Sequence, residues 1–221
     1  MSVQENISTI KKNIPKKVVL VAVSKTKPKS DILEAYQAGQ RVFGENKVQE
    51  MLTKHESLPK DIQWHMIGHL QRNKIKYMAS FVSLIHGVDS FKTLKEIDKQ
   101  AKKCNRIISC LLQVKIAKEE TKFGLSFNEI EQILNSEELK ILKNIKISGL
   151  MGMATFTENT SQIKAEFTSL KSFFDKLKTK KNFNNVLLDT LSIGMSGDYK
   201  IAIDCGSTMI RVGSAIFGNR N

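Results

Sequence analysis

The sequence predicts an α/β fold, a (β/α)8 barrel of the TIM type, and three observations carry that prediction. Short apolar runs rich in β-branched residues alternate with segments of helical period, an order that yields parallel strands. The runs are "KVVLVAVS", "QRVFGEN", "QWHMIGH", "SLIHGVD", "IISCLLQVKIA", "KISGLMGMA", "LDTLSIGMS" and "MIRVGSAIFG". They number about eight, the count that closes such a barrel. No linker, low-complexity tract or second cluster of strands interrupts the 221 residues, so residues 1–221 are expected to form one barrel domain.

The first run ends on a lysine. Along a strand, Val19, Val21, Val23 and Lys25 share one face and Leu20, Ala22 and Ser24 the other. Barrel interiors favour bulky branched side chains, so the valine face is expected to point inward and Lys25 into the mouth at the strand's C-terminal end. Lys27 and Lys29 fall beyond the strand and are expected to be solvated. A lysine whose stem sits among apolar groups loses hydration, which lowers its pKa and frees the amine to attack carbonyls. The same residue can equally be a snorkelling lysine with no chemistry, and this stretch alone does not choose between the two.

The third run holds His65 and His69, four apart, a spacing that suits a metal only on a helix face. With no cysteine or paired carboxylate nearby, they are expected to orient loops at the mouth and no metal site is expected. Trp64 is expected to pack, and His55 and His86 to belong to no constellation. Glu45 reads as either a partner behind the site or a loop carboxylate. Met151 and Met153 of "GLMGM" either wall the pocket or pack the core.

Between the runs, the helices carry signatures of their own. In "SFKTLKEIDKQAKKC" the apolar positions Leu94, Ile97, Ala101 and Cys104 are three or four apart after a Ser90 cap. In "SFNEIEQIL", Ser126 and Glu129 form a capping box before Ile130, Ile133 and Leu134. In "SQIKAEFTSLKSFFDKL" the stripe runs Ile163, Phe167, Leu170, Phe174, Leu177.

In such barrels phosphate commonly sits on backbone N–H groups of the loops after strands seven and eight. Here those loops read "SIGMSGDY" and "RVGSAIFG". Gly194, Gly197 and Gly213 would let the backbone approach a phosphate closely, and Ser196 and Ser214 could donate side-chain hydrogen bonds. A phosphate together with a carbonyl that a lysine can capture describes pyridoxal 5′-phosphate (PLP).

The ordered set "VAVSKTKP", "FGENKVQE", "WHMIGHLQRNK", "GLMGMA", "LSIGMSGDYKIAI" and "GSTMIRVGSAIFG" closely resembles the PLP homeostasis proteins, the YggS/PROSC group, over essentially the whole chain. The resemblance implies a barrel like the N-terminal domain of bacterial alanine racemase, with PLP held as a Schiff base on Lys25. It also implies intracellular buffering of the cofactor and delivery to apo-enzymes, with no established catalytic activity and so no catalytic residues. Carried over position by position, Asn46 would lie beside the cofactor ring and Arg211 would face the pyridine nitrogen. Met195, Ser196, Gly213 and Ser214 would hold the phosphate. "GSA" stands where many members have "GTA"; Ser214 keeps the hydroxyl. Ile193 stands where methionine is frequent, and Lys47 where the family varies.

An arginine opposite the pyridine nitrogen cannot accept a proton and leaves the ring a poor electron sink, which favours a holder of PLP over a catalyst. Racemisation also needs a second acid/base on the ring's opposite face, which racemases take from a further domain and another chain. The sequence stops four residues after Phe217, so no such domain is expected here. Two alternatives remain: a small PLP-dependent, racemase-like enzyme, and a cofactor-free Schiff-base aldolase. For the aldolase no carboxylate or tyrosine at the mouth is assignable from sequence.

Composition bounds the setting. Lys and Arg total 35 against 22 Asp and Glu, a formal charge of +13. The lysines are dispersed over polar helix sides without interleaved aromatic residues, so no nucleic-acid partner is expected. No apolar stretch approaches the roughly 18 residues of a membrane span, and "MSVQENISTIKKN" lacks the apolar core of a secretory signal, so the expectation is a cytoplasmic protein without a membrane partner. Cys104, Cys110 and Cys205 read as reduced core residues. A barrel that closes its own sheet is expected to be a monomer.

Overall fold

A computed structural model of the chain describes residues 2–119, 123–180 and 185–218. Its strands are β1 (Val19–Val23), β2 (Val42–Glu45), β3 (Gln63–Met66), β4 (Leu84–Val88), β5 (Ile108–Val114), β6 (Ile145–Gly152), β7 (Val186–Ser192) and β8 (Met209–Val212). They close in sequence order into a parallel eight-stranded barrel. The seam is made by β1 and β8, which pair from Val19 opposite Met209 to Ala22 opposite Val212.

Each predicted run contains a strand, and most of the strands stop short of the run's end. The eighth run shows why: Gly213 breaks the extended chain, and "SAIF" coils into a short helix instead. The apolar character beyond Val212 is that of Ile216 and Phe217, buried on the outside of the barrel against the helical layer.

That layer comprises α1 (Val3–Lys12), α2 (Lys29–Gln37), α3 (Val48–Ser57), α4 (Phe91–Lys103), α5 (Phe127–Asn135), α6 (Glu137–Lys140), α7 (Thr160–Lys178), α8 (Tyr199–Asp204) and α9 (Ser214–Phe217). A 3-10 helix, Arg72–Tyr77, stands after β3. The predicted caps are present: Ser90 accepts from the Thr93 amide, and Ser126 with Glu129 forms the capping box of α5. The predicted stripe of α7 is buried throughout. Helix α1, which the sequence analysis did not single out, is capped by a Ser2–Glu5 box and buries Ile7 and Ile10. Asn6 Nδ2 ties it to the Ile216 carbonyl at 2.9 Å.

The barrel interior is built in two tiers. Val21, Leu84, Leu111, Met151 and Met209 form a separate apolar cluster, distinct from the core between strands and helices. Leu20 and Ala22 belong to that outer core, so the inward and outward faces of β1 fall as the alternation predicts. Above the apolar tier, one alternation further along the strands, stand the polar side chains His65, His86, Ser192 and Arg211, all buried.

Gly149 permits the close β6–β7 approach, because a Cβ there would lie 1.7 Å from the Thr190 carbonyl oxygen. Gly149→Ala is therefore expected to cost about 3 kcal/mol or more, as an overpacked strand contact that cannot relax without opening the sheet. Urea unfolding checks it; a midpoint equal to wild type would contradict the contact.

Candidate functional site

Because parallel strands all end at one rim, the loops after their C-terminal ends share a single mouth. A cavity of about 670 Å³ opens there, within the ~300–1,000 Å³ usual for small-molecule sites. Its lining includes Lys25, Asn46, Met195, Ser196, Arg211, Gly213 and Ser214, together with Gly197, whereas Gly194 lies outside it.

Lys25 sits in the turn just beyond β1, half-buried, with Val23 of the same face also in the lining. Lys27 departs from expectation. Rather than being solvated, it is half-buried in the pocket wall and donates to the Phe217 carbonyl at 2.9 Å, because the chain folds back toward α9. Lys29 begins α2 and is exposed, as expected.

Arg211 is the buried cation of the site, only 4% exposed. Its Nη1 donates to the Ser192 carbonyl at 2.8 Å and to Ser192 Oγ at 2.6 Å, and its Nη2 to the Gly152 carbonyl at 3.0 Å. Burial lowers its pKa to about 10, with Asp198 opposing, so it remains a cation at neutral pH.

The hydrogen bonds continue behind it. His86 Nδ1 meets Ser192 Oγ at 3.1 Å, and His86 Nε2 meets His65 Nδ1 at 3.0 Å. Burial holds both imidazoles neutral: His65 is pushed down to about 3, and His86 well below its ordinary value by burial, by His65 and by Arg211. A guanidinium can only donate, so the simplest polarity runs outward: Ser192 donates to His86 Nδ1, and His86 donates from Nε2 to His65. The two histidines thus part company with the reading from sequence. His65 lies inside the barrel, His86 does belong to a constellation, and only His69 stands at the mouth, paired with Asp89 at 3.1 Å and stacked on Phe123. The signal was available: His65 and His86 occupy inward positions of neighbouring strands, a pairing visible once strand order is known.

Directly beyond Ser192 and Arg211, the loops after β7 and β8 are joined through Ser196 Oγ, which accepts from the Gly213 and Ala215 amides at 3.2 and 3.4 Å. Asp198, which the sequence reading passed over, lies in the lining and accepts from the Met195 amide at 2.5 Å. Burial raises its pKa, against the pull of that amide and of Arg211. A Cβ placed at Gly197 would meet no atom within 4 Å, so this loop leaves open space beside the serine.

Asn46 lines the cavity, and its Oδ1 is buried without a hydrogen-bond partner among the described residues. Met153 lines the cavity while Met151 packs in the apolar tier, so the two readings of "GLMGM" divide between them. Trp64 is fully buried packing.

The model of the alanine racemase N-terminal domain family matches residues 1–221, and the closed barrel is of that class. Within it, the chain belongs to the pyridoxal phosphate homeostasis protein family. The member from Aquifex aeolicus is 40% identical over 202 residues, spanning 91% of this chain and 86% of that one. The member from Pasteurella multocida is 36% identical and spans 100% and 99%. PipY of Synechococcus elongatus, solved with PLP bound, superposes with a TM-score of 0.88 at 34% identity, over 98% of this chain and all of that one. Alanine racemase of Bartonella henselae shares the fold at a TM-score of 0.74 and 17% identity, and the match takes in 58% of that chain.

The neutral imidazoles have a pH signature. Their folded-state pKa values lie below the unfolded value near 6.5, so the stability they allow is complete above that pH and is lost as pH falls toward the folded values. Each should contribute a slope of about 1.4 kcal/mol per pH unit below 6.5. Denaturant unfolding between about pH 6.5 and 4.5 should show His86→Gln losing one histidine's share of the wild-type slope. Glu45, whose pKa burial raises, works in the opposite sense but cancels in the comparison. Identical slopes would mean that His86 is charged in the fold.

Proposed function

We propose that this chain binds PLP in the barrel mouth, holds it as a Schiff base on Lys25, and serves intracellular PLP homeostasis by buffering the cofactor and delivering it to apo-enzymes without catalytic turnover. One observation carries the reading: Lys25, the buried Arg211 and the linked Ser196–Gly213 loops meet in a single cavity, in a chain whose relatives bear that name. When bound, PLP supplies an aldehyde that condenses with an amine, a C=N bond replacing C=O with release of one water and no redox change.

The residues present suit that group. Asn46 offers an unpartnered buried oxygen, and the glycine and serine loops offer close backbone approach and hydroxyls to a phosphate. Met195, Ser196, Gly213 and Ser214 form that wall. Arg211, fixed by two carbonyls, presents a donor and no acceptor, so a pyridine nitrogen facing it stays unprotonated. That is the physical basis for a holder rather than a catalyst. The acid/base groups of the lining are already engaged: His69 with Asp89, and Asp198 with the Met195 amide.

Asp198 also gives the cofactor-free aldolase reading a carboxylate at the mouth, and a racemase-like activity is the other alternative. The unit is read as one barrel spanning residues 1–221, monomeric and cytoplasmic. Among the described residues no helix is long and apolar enough to cross a membrane.

The test is absorption spectroscopy with and without added PLP, before and after borohydride, followed by peptide mapping. A near-visible imine band fixed by borohydride onto Lys25 is expected. Lys25→Ala should lose the band and the adduct while unfolding within about 1 kcal/mol of wild type, since a half-buried turn side chain contributes little packing. No band in wild type with PLP supplied would move the aldolase reading to the front. Turnover of an amino acid that depends on Lys25 would establish the enzyme instead.

A further inference from the structure

Behind the turn that bears Lys25 lies a buried charge cluster that no part of the pocket uses directly. Lys54 of α3 is only 5% exposed. Its ammonium has three donors, and the structure fills them: the Ser24 carbonyl at 2.8 Å, Glu45 Oε1 at 2.9 Å and Glu50 Oε1 at 2.6 Å. The carboxylates reach the same turn. Ser24 Oγ donates to Glu45 Oε1 at 2.6 Å, and the Thr26 amide donates to Glu50 Oε1 at 2.6 Å. Both residues flanking Lys25 are therefore tied to one cluster.

We infer that Glu45, Glu50 and Lys54 are positioning residues, a clamp that fixes the Ser24–Lys25–Thr26 turn and thereby aims the Lys25 amine into the pocket. Three further features support a positioning role. Thr26 has φ +65°, a left-handed conformation that costs a β-branched residue on the order of 1–3 kcal/mol and persists only where its surroundings dictate it. The Thr26 amide bond to Glu50 is such a constraint. A buried ion cluster is also a poor source of stability, since well-packed apolar residues of the same volume usually serve as well. What the cluster supplies is direction, because three acceptors at fixed points around one ammonium specify where the turn must sit. Finally, Glu45 and Asn46 are consecutive at the end of β2, so one strand end sends a carboxylate to the clamp and an amide to the cavity. The lysine turn and the Asn46 wall are thus registered to each other.

The inference rests on Lys25 as the covalent anchor, and the experiment separates the two. Glu50 is partly exposed, so Glu50→Ala removes the Thr26 tether while leaving the Lys54–Glu45 pair in place. Two ligands are compared: PLP, with adduct formation on Lys25 read by borohydride trapping and mapping, and pyridoxine 5′-phosphate, which has no aldehyde and reports only the ring and phosphate contacts. Glu50→Ala should lower the Schiff-base equilibrium about 10-fold or more, the scale of a misaimed reacting group, with the Kd of pyridoxine 5′-phosphate changed less than about twofold. Thr26 amide hydrogen exchange should speed up in the same variant, a readout that needs no cofactor. Glu50→Gln, which keeps an acceptor for Thr26 and Lys54, should restore adduct formation to within about threefold of wild type. An undiminished adduct in Glu50→Ala, or an equal loss of both ligands, overturns the clamp while leaving Lys25 as anchor. Absence of any Lys25 adduct in wild type overturns the anchor and the clamp's role with it.

Discussion

Closure is the constraint on which the rest of the molecule depends. Eight parallel strands in sequence order leave no free edge, and every strand must end at the same rim. Distant segments are thereby delivered to one place: the lysine turn after β1, the asparagine after β2 and the small-residue loops after β7 and β8. None of these has to find the others through a flexible linker. The helical layer, packed on the outward faces of the strands, holds the closed form from outside.

Inside, the barrel changes character with height. The lower tier is apolar and fills the cylinder as a core does. The upper tier is polar, and there the cost of burying a guanidinium is met by carbonyls of two neighbouring strands and by a serine. The histidines behind Ser192 stay uncharged, so the tier carries one positive charge and not three. A second buried charge centre lies outside the barrel wall at Lys54, where the carboxylates outnumber the ammonium. Each centre stands at one part of the same pocket: Arg211 lines the cavity, and the Lys54 cluster bonds the turn that carries Lys25.

Much of this was legible in the sequence, for physical reasons that differ between elements. The strands were visible because buried parallel strands are continuous apolar runs, and the caps of α4 and α5 because capping is local chemistry. Motif order and strand-end position singled out Lys25, Asn46, Met195, Ser196, Arg211, Gly213 and Ser214, and these line one cavity, together with Asp198, which they did not single out. Strand ends were read too long, because Ile216 and Phe217 are apolar for a helix and not for the sheet. Lys27 and His86 were misjudged, since both depend on contacts with residues more than a hundred positions away, Phe217 and Ser192. Glu45 was left between two readings, because Lys54 approaches it only when α3 lies down on β2.

At the β7–β8 boundary the register pairs Ser192 with Met209. Three backbone bonds cross it: the Thr208 amide to the Leu191 carbonyl at 3.0 Å, the Ile193 amide to the Met209 carbonyl at 3.2 Å and the Arg211 amide to the Gly194 carbonyl at 2.9 Å. Arg211 crosses that boundary, and its two nitrogens gather carbonyls from the ends of β7 and β6. The guanidinium thus adds a side-chain lacing across three strands to a joint that the backbone already stitches. Cavity lining and wall cohesion meet in one side chain, so a change there alters the vessel as well as its opening.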